Sequence, residues 1–171
     1  MKSFFRIFLL IATLCLSSSN ILMAEEIQTP PDNSSTELQR IKSLAGRWTS
    51  TTSMFGKKDE QVFTEYEVTA GGSAVLERIF PGTPHEMVSM YYDEDGKLTM
   101  THYCIMRNRP TMKLVSHQDN KIKLRLTKLS GAKSKKEPSM SEMDITFKDN
   151  DHIAISCGGQ EKGKEASEPM T

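Results

Sequence analysis

The stretch TMKLVSHQDNKIKLRLTK, residues 111–128, decides the fold. Met112 and Leu114 precede Gln118-Asp119-Asn120, and Ile122, Leu124 and Leu126 follow it, so apolar side chains recur at every second position. A period of two is that of a strand, whose successive side chains point to opposite faces. A three-residue loop at 118–120 sets Met112, Leu114 and Ser116 against Leu126, Leu124 and Ile122, with the apolar sets on one side. Agreement between turn and apolar pattern is what a hairpin requires. A second pair follows the same logic around Ala70-Gly71-Gly72. There Thr69 is set opposite Ser73, and Val62, Thr64, Tyr66 and Val68 share a face with Ala74, Leu76, Arg78 and Phe80.

Working outward, nine strands are predicted, at about 47–54, 61–69, 73–80, 86–92, 97–104, 111–117, 121–128, 140–147 and 152–157. No long helical pattern interrupts them, and the connections are short, so neighbours pair antiparallel as a meander. This predicts an all-β, antiparallel up-and-down barrel. A short helix precedes it, capped by Ser35 or Thr36, carrying Leu38, Ile41 and Leu44 on one side and ending at Gly46.

The N-terminus reads as an export signal. Lys2 and Arg6 flank the start of the apolar run Phe4 to Leu16, serines follow, and Ala24 is a small residue at the expected cut. The run is too short to span a bilayer comfortably. Cleavage after Ala24 takes 24 of 171 residues and leaves 147, enough for one domain. It also removes two cations and no acid, leaving 20 Lys and Arg against 22 Asp and Glu. Such a balance argues against nucleic acid as a partner. The expected organisation is a signal at 1–24, a flexible leader at 25–34, the barrel domain with its helix at 35–157 and a polar tail at 158–171. The expected location is periplasmic or secreted. Cys104 and Cys157 remain in the exported chain, either as one disulfide or as two buried thiols.

Alternate loops of a meander collect at opposite ends. Loops 55–60, 81–85, 105–110 and 129–139 carry Lys57, Lys58, His85, Arg107, Arg109, Lys133, Lys135 and Lys136, partly offset by Asp59, Glu60 and Glu137. The other end, at 70–72, 93–97, 118–120 and 148–151, is tighter and acidic, and the helix feeds into it as a plug. The long-loop end is therefore the expected mouth, with His85, Arg107 and Arg109 at its rim. Most inward positions are apolar: Val62, Leu76, Val88, Met90, Leu98, Met100, Leu124 and Ile145. Four polar residues are expected among them, Tyr66, Arg78, Glu86 and His102, with Arg78 and Glu86 paired. The reading of Glu86 depends on the turn at 93–97. A five-residue loop puts Val88 opposite His102 and Glu86 inside, whereas a four-residue loop puts Met87 opposite His102 and Glu86 outside.

Leu44-Ala45-Gly46-Arg47-Trp48 resembles the Gly-x-Trp opening of lipocalin-like (calycin) barrels. The stretch FPGTPHEMVSMYYDEDGKLTMTHYCIMRNRP, residues 80–110, is similar to a group of uncharacterised exported bacterial lipocalin-like proteins. The resemblance covers about residues 44–152 and implies a barrel with an interior ligand. Some related barrels hold haem through a late-strand His, which implies His152 or His102 as an axial ligand in an alternative reading.

The leading expectation is thus a binding barrel for a small amphipathic, anionic molecule, with no cofactor. A structural or interaction module with a filled interior is the alternative, and haem binding a further one. His85, His102, His117 and His152 show no zinc-ligand spacing, and His117 falls on the outward face. The eleven methionines read as adaptable core filler. No nucleophile with a matched base is legible, so no enzymatic reaction is assigned.

Overall fold

The computed structural model describes residues 29–52, 58–134, 137–161 and 164–170. The proposed signal segment, Lys57, Lys135 and Lys136 lie outside these described residues. Helix α1 (Thr36–Lys42) leads into ten strands. These are β1 (Gly46–Thr52), β2 (Glu60–Thr69), β3 (Ala74–Ile79), β4 (Met87–Glu94), β5 (Lys97–Tyr103), β6 (Arg109–Gln118), β7 (Lys121–Ser130), β8 (Ser139–Phe147), β9 (Ile153–Glu161) and β10 (Lys164–Met170). They form one antiparallel sheet in chain order, curled into a half-barrel. The nine strands read from the sequence are β1 to β9. The backbone pairing runs further than the apolar pattern, since β9 continues to Glu161 and β10 pairs back along it.

Helix α1 closes the end that holds the tight acidic turns. The Ser35 hydroxyl caps it, accepting from the Leu38 amide at 3.1 Å. Ser35 is in turn fixed to the end of β4, its amide and hydroxyl donating to Asp93 at 2.6 and 2.7 Å. Arg40 donates to the Asp119 carbonyl at 2.6 Å, reaching the β6–β7 turn. Its apolar stripe, Leu38, Ile41 and Leu44, is buried in the barrel core. Trp48 donates from Nε1 to the Leu44 carbonyl at 2.7 Å and ties the helix end to β1. Asp32, within the expected leader, accepts from Lys42 at 2.6 Å and Gln39 at 2.9 Å. The Lys42 ammonium, first among these partners, holds the Asp32 carboxyl well below the usual range.

Two turns differ from the sequence reading in a way that flips a face. Asp95 and Gly96 make a two-residue turn with φ of 54° and 72°, so Glu94 pairs with Lys97 and Ser89 pairs with His102. Asp-Gly suits this turn because both central residues need positive φ. Between β2 and β3 the turn takes four residues, with Thr69 opposite Ala74 and Tyr66 opposite Glu77. A one-residue slip moves every side chain of a strand to the other face. Glu77, Ser89 and Tyr91 therefore point inward, while Arg78, Leu76, Val88 and Met90 point outward.

The hairpin of residues 111–128 keeps its inner register by a different route. Met112 pairs with Leu126 and Leu114 with Leu124, as the apolar pattern requires. The turn itself is two residues, Asp119 and Asn120, and an irregularity between Leu114 and Ser116 absorbs the extra residue. Exposed Val115 marks that bulge. His117 lies on the surface as expected, 3.1 Å from Glu37 of α1.

Candidate functional site

With α1 filling one end, the interior space lies at the other. A cavity of about 260 Å³ sits beneath the long loops. It is lined from β3 and its following turn by Glu77, Ile79 and Phe80, and from β4 and β5 by Met87, Ser89 and His102, with Cys104 just beyond. Thr64 reaches in from β2, Met140 and Met143 from β8, and Ile155, Cys157, Gly158 and Gly159 from β9. Close backbone approach suits the two glycines: a Cβ on Gly158 runs into the Glu142 side chain, and one on Gly159 meets the Ser139 carbonyl at 3.1 Å. Phe80 carries a φ of 56°, a left-handed conformation that a bulky residue adopts only under constraint. Its amide donates to the Phe63 carbonyl at 3.0 Å and its carbonyl accepts from Thr83, which fix it at the cavity rim.

A buried polar chain forms the floor. Glu77 is 1 % exposed. Its Oε1 accepts from the Tyr66 hydroxyl at 2.7 Å and its Oε2 from the Tyr91 hydroxyl at 3.0 Å. Ser89, directly across the β3–β4 pair, supplies a third hydroxyl that acts on Glu77 by hydrogen bonding. Burial pushes the Glu77 carboxyl up, against the pull of these hydroxyls. Ser89 Oγ also lies 2.9 Å from His102 Nδ1. Burial pushes His102 down to about 4, which keeps the ring neutral near neutral pH. Tyr66 and Tyr91 are pushed well up, first by burial and then by Glu77.

Four interior residues were expected, and the structure places two of them there. Tyr66 and His102 are buried and joined through Glu77 and Ser89. Arg78 and Glu86 are not interior. Both are exposed and pair outside, Arg78 Nη1 to Glu86 Oε1 at 3.3 Å. Glu86 Oε2 also accepts from the Gly82 amide at 2.7 Å, so the carboxylate clamps the β3–β4 turn. The pairing was legible and the face was wrong, because both faces of β3 and β4 carry apolar residues and only the turns set the parity. The Asp95-Gly96 dipeptide was the signal that would have found Ser89 and Tyr91, and through them Glu77.

At the rim, Arg107 and Arg109 are exposed and do not line the cavity. His85 is half-buried and lines a separate hollow with Phe80, Thr83 and Glu60. Between the two arginines, Asn108 is buried and donates to the Pro138 carbonyl at 2.8 Å, which ties the β5–β6 loop to the β7–β8 loop. Cys104 and Cys157 are free thiols, the second of the two expected states, and not the disulfide. Both line the cavity as small apolar groups, and burial pushes Cys157 up to about 12. His152 is exposed on the β8–β9 turn at the helix end, with Nδ1 2.8 Å from Asp149, far from the place an interior axial ligand must occupy. Among the described residues, no three His, Cys, Asp or Glu side chains converge as metal ligands do. No helix among them is long and apolar enough to cross a membrane. No family model matches the chain, and no curated protein matches it either.

Proposed function

We propose that this protein is an exported, lipocalin-like binding module that holds a small, mainly apolar molecule in the cavity under its long loops. One observation carries the reading: a half-barrel plugged at one end by a helix keeps an unfilled, apolar-walled space at the other. Ligand sites are concave and mostly apolar, with a few placed polar groups. At about 260 Å³ the cavity exceeds the roughly 150 Å³ that holds a benzene. Its size suits a single ring or a medium-length chain. The signal-like segment 1–24 supports export, and the meander with Trp48 packed beneath it supports the lipocalin-like assignment.

Native mass spectrometry of protein purified from its own host, without detergent, tests this reading. A small molecule that leaves on collisional activation is the expected result. Protein that arrives empty and takes up none of a mixture of medium-chain alcohols, acids and amines overturns it.

A further inference from the structure

The sequence led to an anionic ligand because basic loops surround the mouth. The interior carries the opposite chemistry. Among the described residues, no Lys or Arg lines the cavity. The one arginine expected inside, Arg78, is on the outer face with Glu86. Among the described residues, the titratable groups that face the cavity are Glu77, His102, Cys104 and Cys157, with Tyr66 and Tyr91 beneath Glu77. A carboxylate placed there meets no cation and approaches an acid, and a buried charge without a partner is strongly disfavoured. A protonated amine fares little better, since both Glu77 oxygens already accept tyrosine hydroxyls.

One polar position stays open. His102 is 4 % exposed and makes a single hydrogen bond, between Nδ1 and Ser89 Oγ. Among the described residues Nε2 has no protein partner. Among the described residues, the one buried side-chain N or O atom without a partner is Oδ1 of Asn108, so Nε2 is not sealed in the interior. His102 lines the cavity, which is the open space beside its ring. The ring is oriented by Ser89, which is itself held between His102 and Glu77. A placed ring with one free nitrogen, walled by Ile79, Met87 and Met143, matches one polar group on an apolar body.

We infer that the cavity selects an uncharged amphiphile with a single hydrogen-bonding group, such as an alcohol or phenol, held by His102 Nε2, and rejects carboxylates. This rests on the binding reading above and adds the head-group chemistry to it.

Octanol, octanoate and octylamine, compared by calorimetric titration against the full exported chain near neutral pH, test it with one tail and three head groups. Octanol is expected to bind at least about tenfold tighter than either charged probe, the scale of one hydrogen bond plus avoided charge burial. Octanoate binding as tightly as octanol overturns the inference and leaves the binding reading intact, as does octylamine binding tightest. If none of the three binds, the binding reading itself fails. His102→Leu is expected to lose about tenfold in octanol affinity, and an unchanged affinity removes His102 from the site. Should that variant not fold, nitrogen-resolved NMR of labelled histidine in the unaltered protein gives the same answer. Octanol is expected to shift the His102 Nε2 resonance and leave those of exposed His117 and His152 in place, and an unmoved His102 overturns the assignment.

Discussion

His102 shows how a single residue takes its character from its place. Its imidazole is buried, hydrogen-bonded to Ser89 and held down at about 4, against 6.5 for a free histidine. Between those two values the unfolded chain binds a proton that the folded chain refuses. The stability that depends on neutral His102 is thus complete above pH 6.5 and drains away as the pH falls toward 4. Its full size is about 3 kcal/mol, from the shift at 1.36 kcal/mol per unit. Urea midpoints measured across that window should fall more steeply with acid in the wild type than in His102→Gln. Equal slopes would mean that the ring is solvated in the folded state. Glu77 works with the opposite sign, because burial raises its carboxyl and its contribution is lost as the pH rises above 4.5. Position 77 was invisible in the sequence as an interior site, since a glutamate between Leu76 and Arg78 reads as surface until the register is known.

Turns govern the elements. Gly96 and Gly131 both have left-handed backbones, with φ of 72° and 79°. A Cβ on Gly96 meets nothing within 4 Å, whereas on Gly131 it falls 2.8 Å from the Arg107 carbonyl oxygen of the neighbouring loop. Gly96→Ala should therefore cost only the backbone term, about 1 kcal/mol. Gly131→Ala adds a clash with backbone that cannot swing aside, and should cost clearly more, about 2 kcal/mol or above. Thermal melts of the two variants check the order, and an equal loss would show that the β5–β6 and β7–β8 loops do not pack as described. The same loops hold the cavity rim, through Asn108 and Pro138. Gly131→Ala is the variant in which loosening of the rim should follow the loss of stability.

At the scale of the whole molecule, the two ends of the half-barrel are unlike because one is occupied by its own chain. Leu38, Ile41 and Leu44 fill the end with the acidic turns, and the space that remains collects under the long loops. Leu38→Ala should cost about 2–5 kcal/mol, the range for a fully buried leucine whose site cannot collapse. It sits at the far end from His102, so the head-group preference should survive wherever the variant still folds. Denaturant unfolding measures the first expectation and the calorimetric comparison of probes the second. A loss below 1 kcal/mol would mean that α1 is not seated in the core.

The sequence by itself determined the meander. Period-two apolar runs and short polar connections name β1 to β9, the preceding helix, the unlike charges of the two loop sets, and Tyr66 and His102 as inward residues. These features are local, fixed by side-chain period and turn composition. What the tertiary structure decided was which face of β3 and β4 turns inward, and with it the exchange of Arg78 and Glu86 for Glu77, Ser89 and Tyr91. Those strands are apolar on both sides, so their alternation carries no parity. The parity is set by pairing with neighbours, through turns of two and four residues whose lengths become definite only when the strands are in place. Pairing along β9 and β10 is likewise a property of the sheet, since main-chain hydrogen bonds between strands require no apolar side chain to announce them.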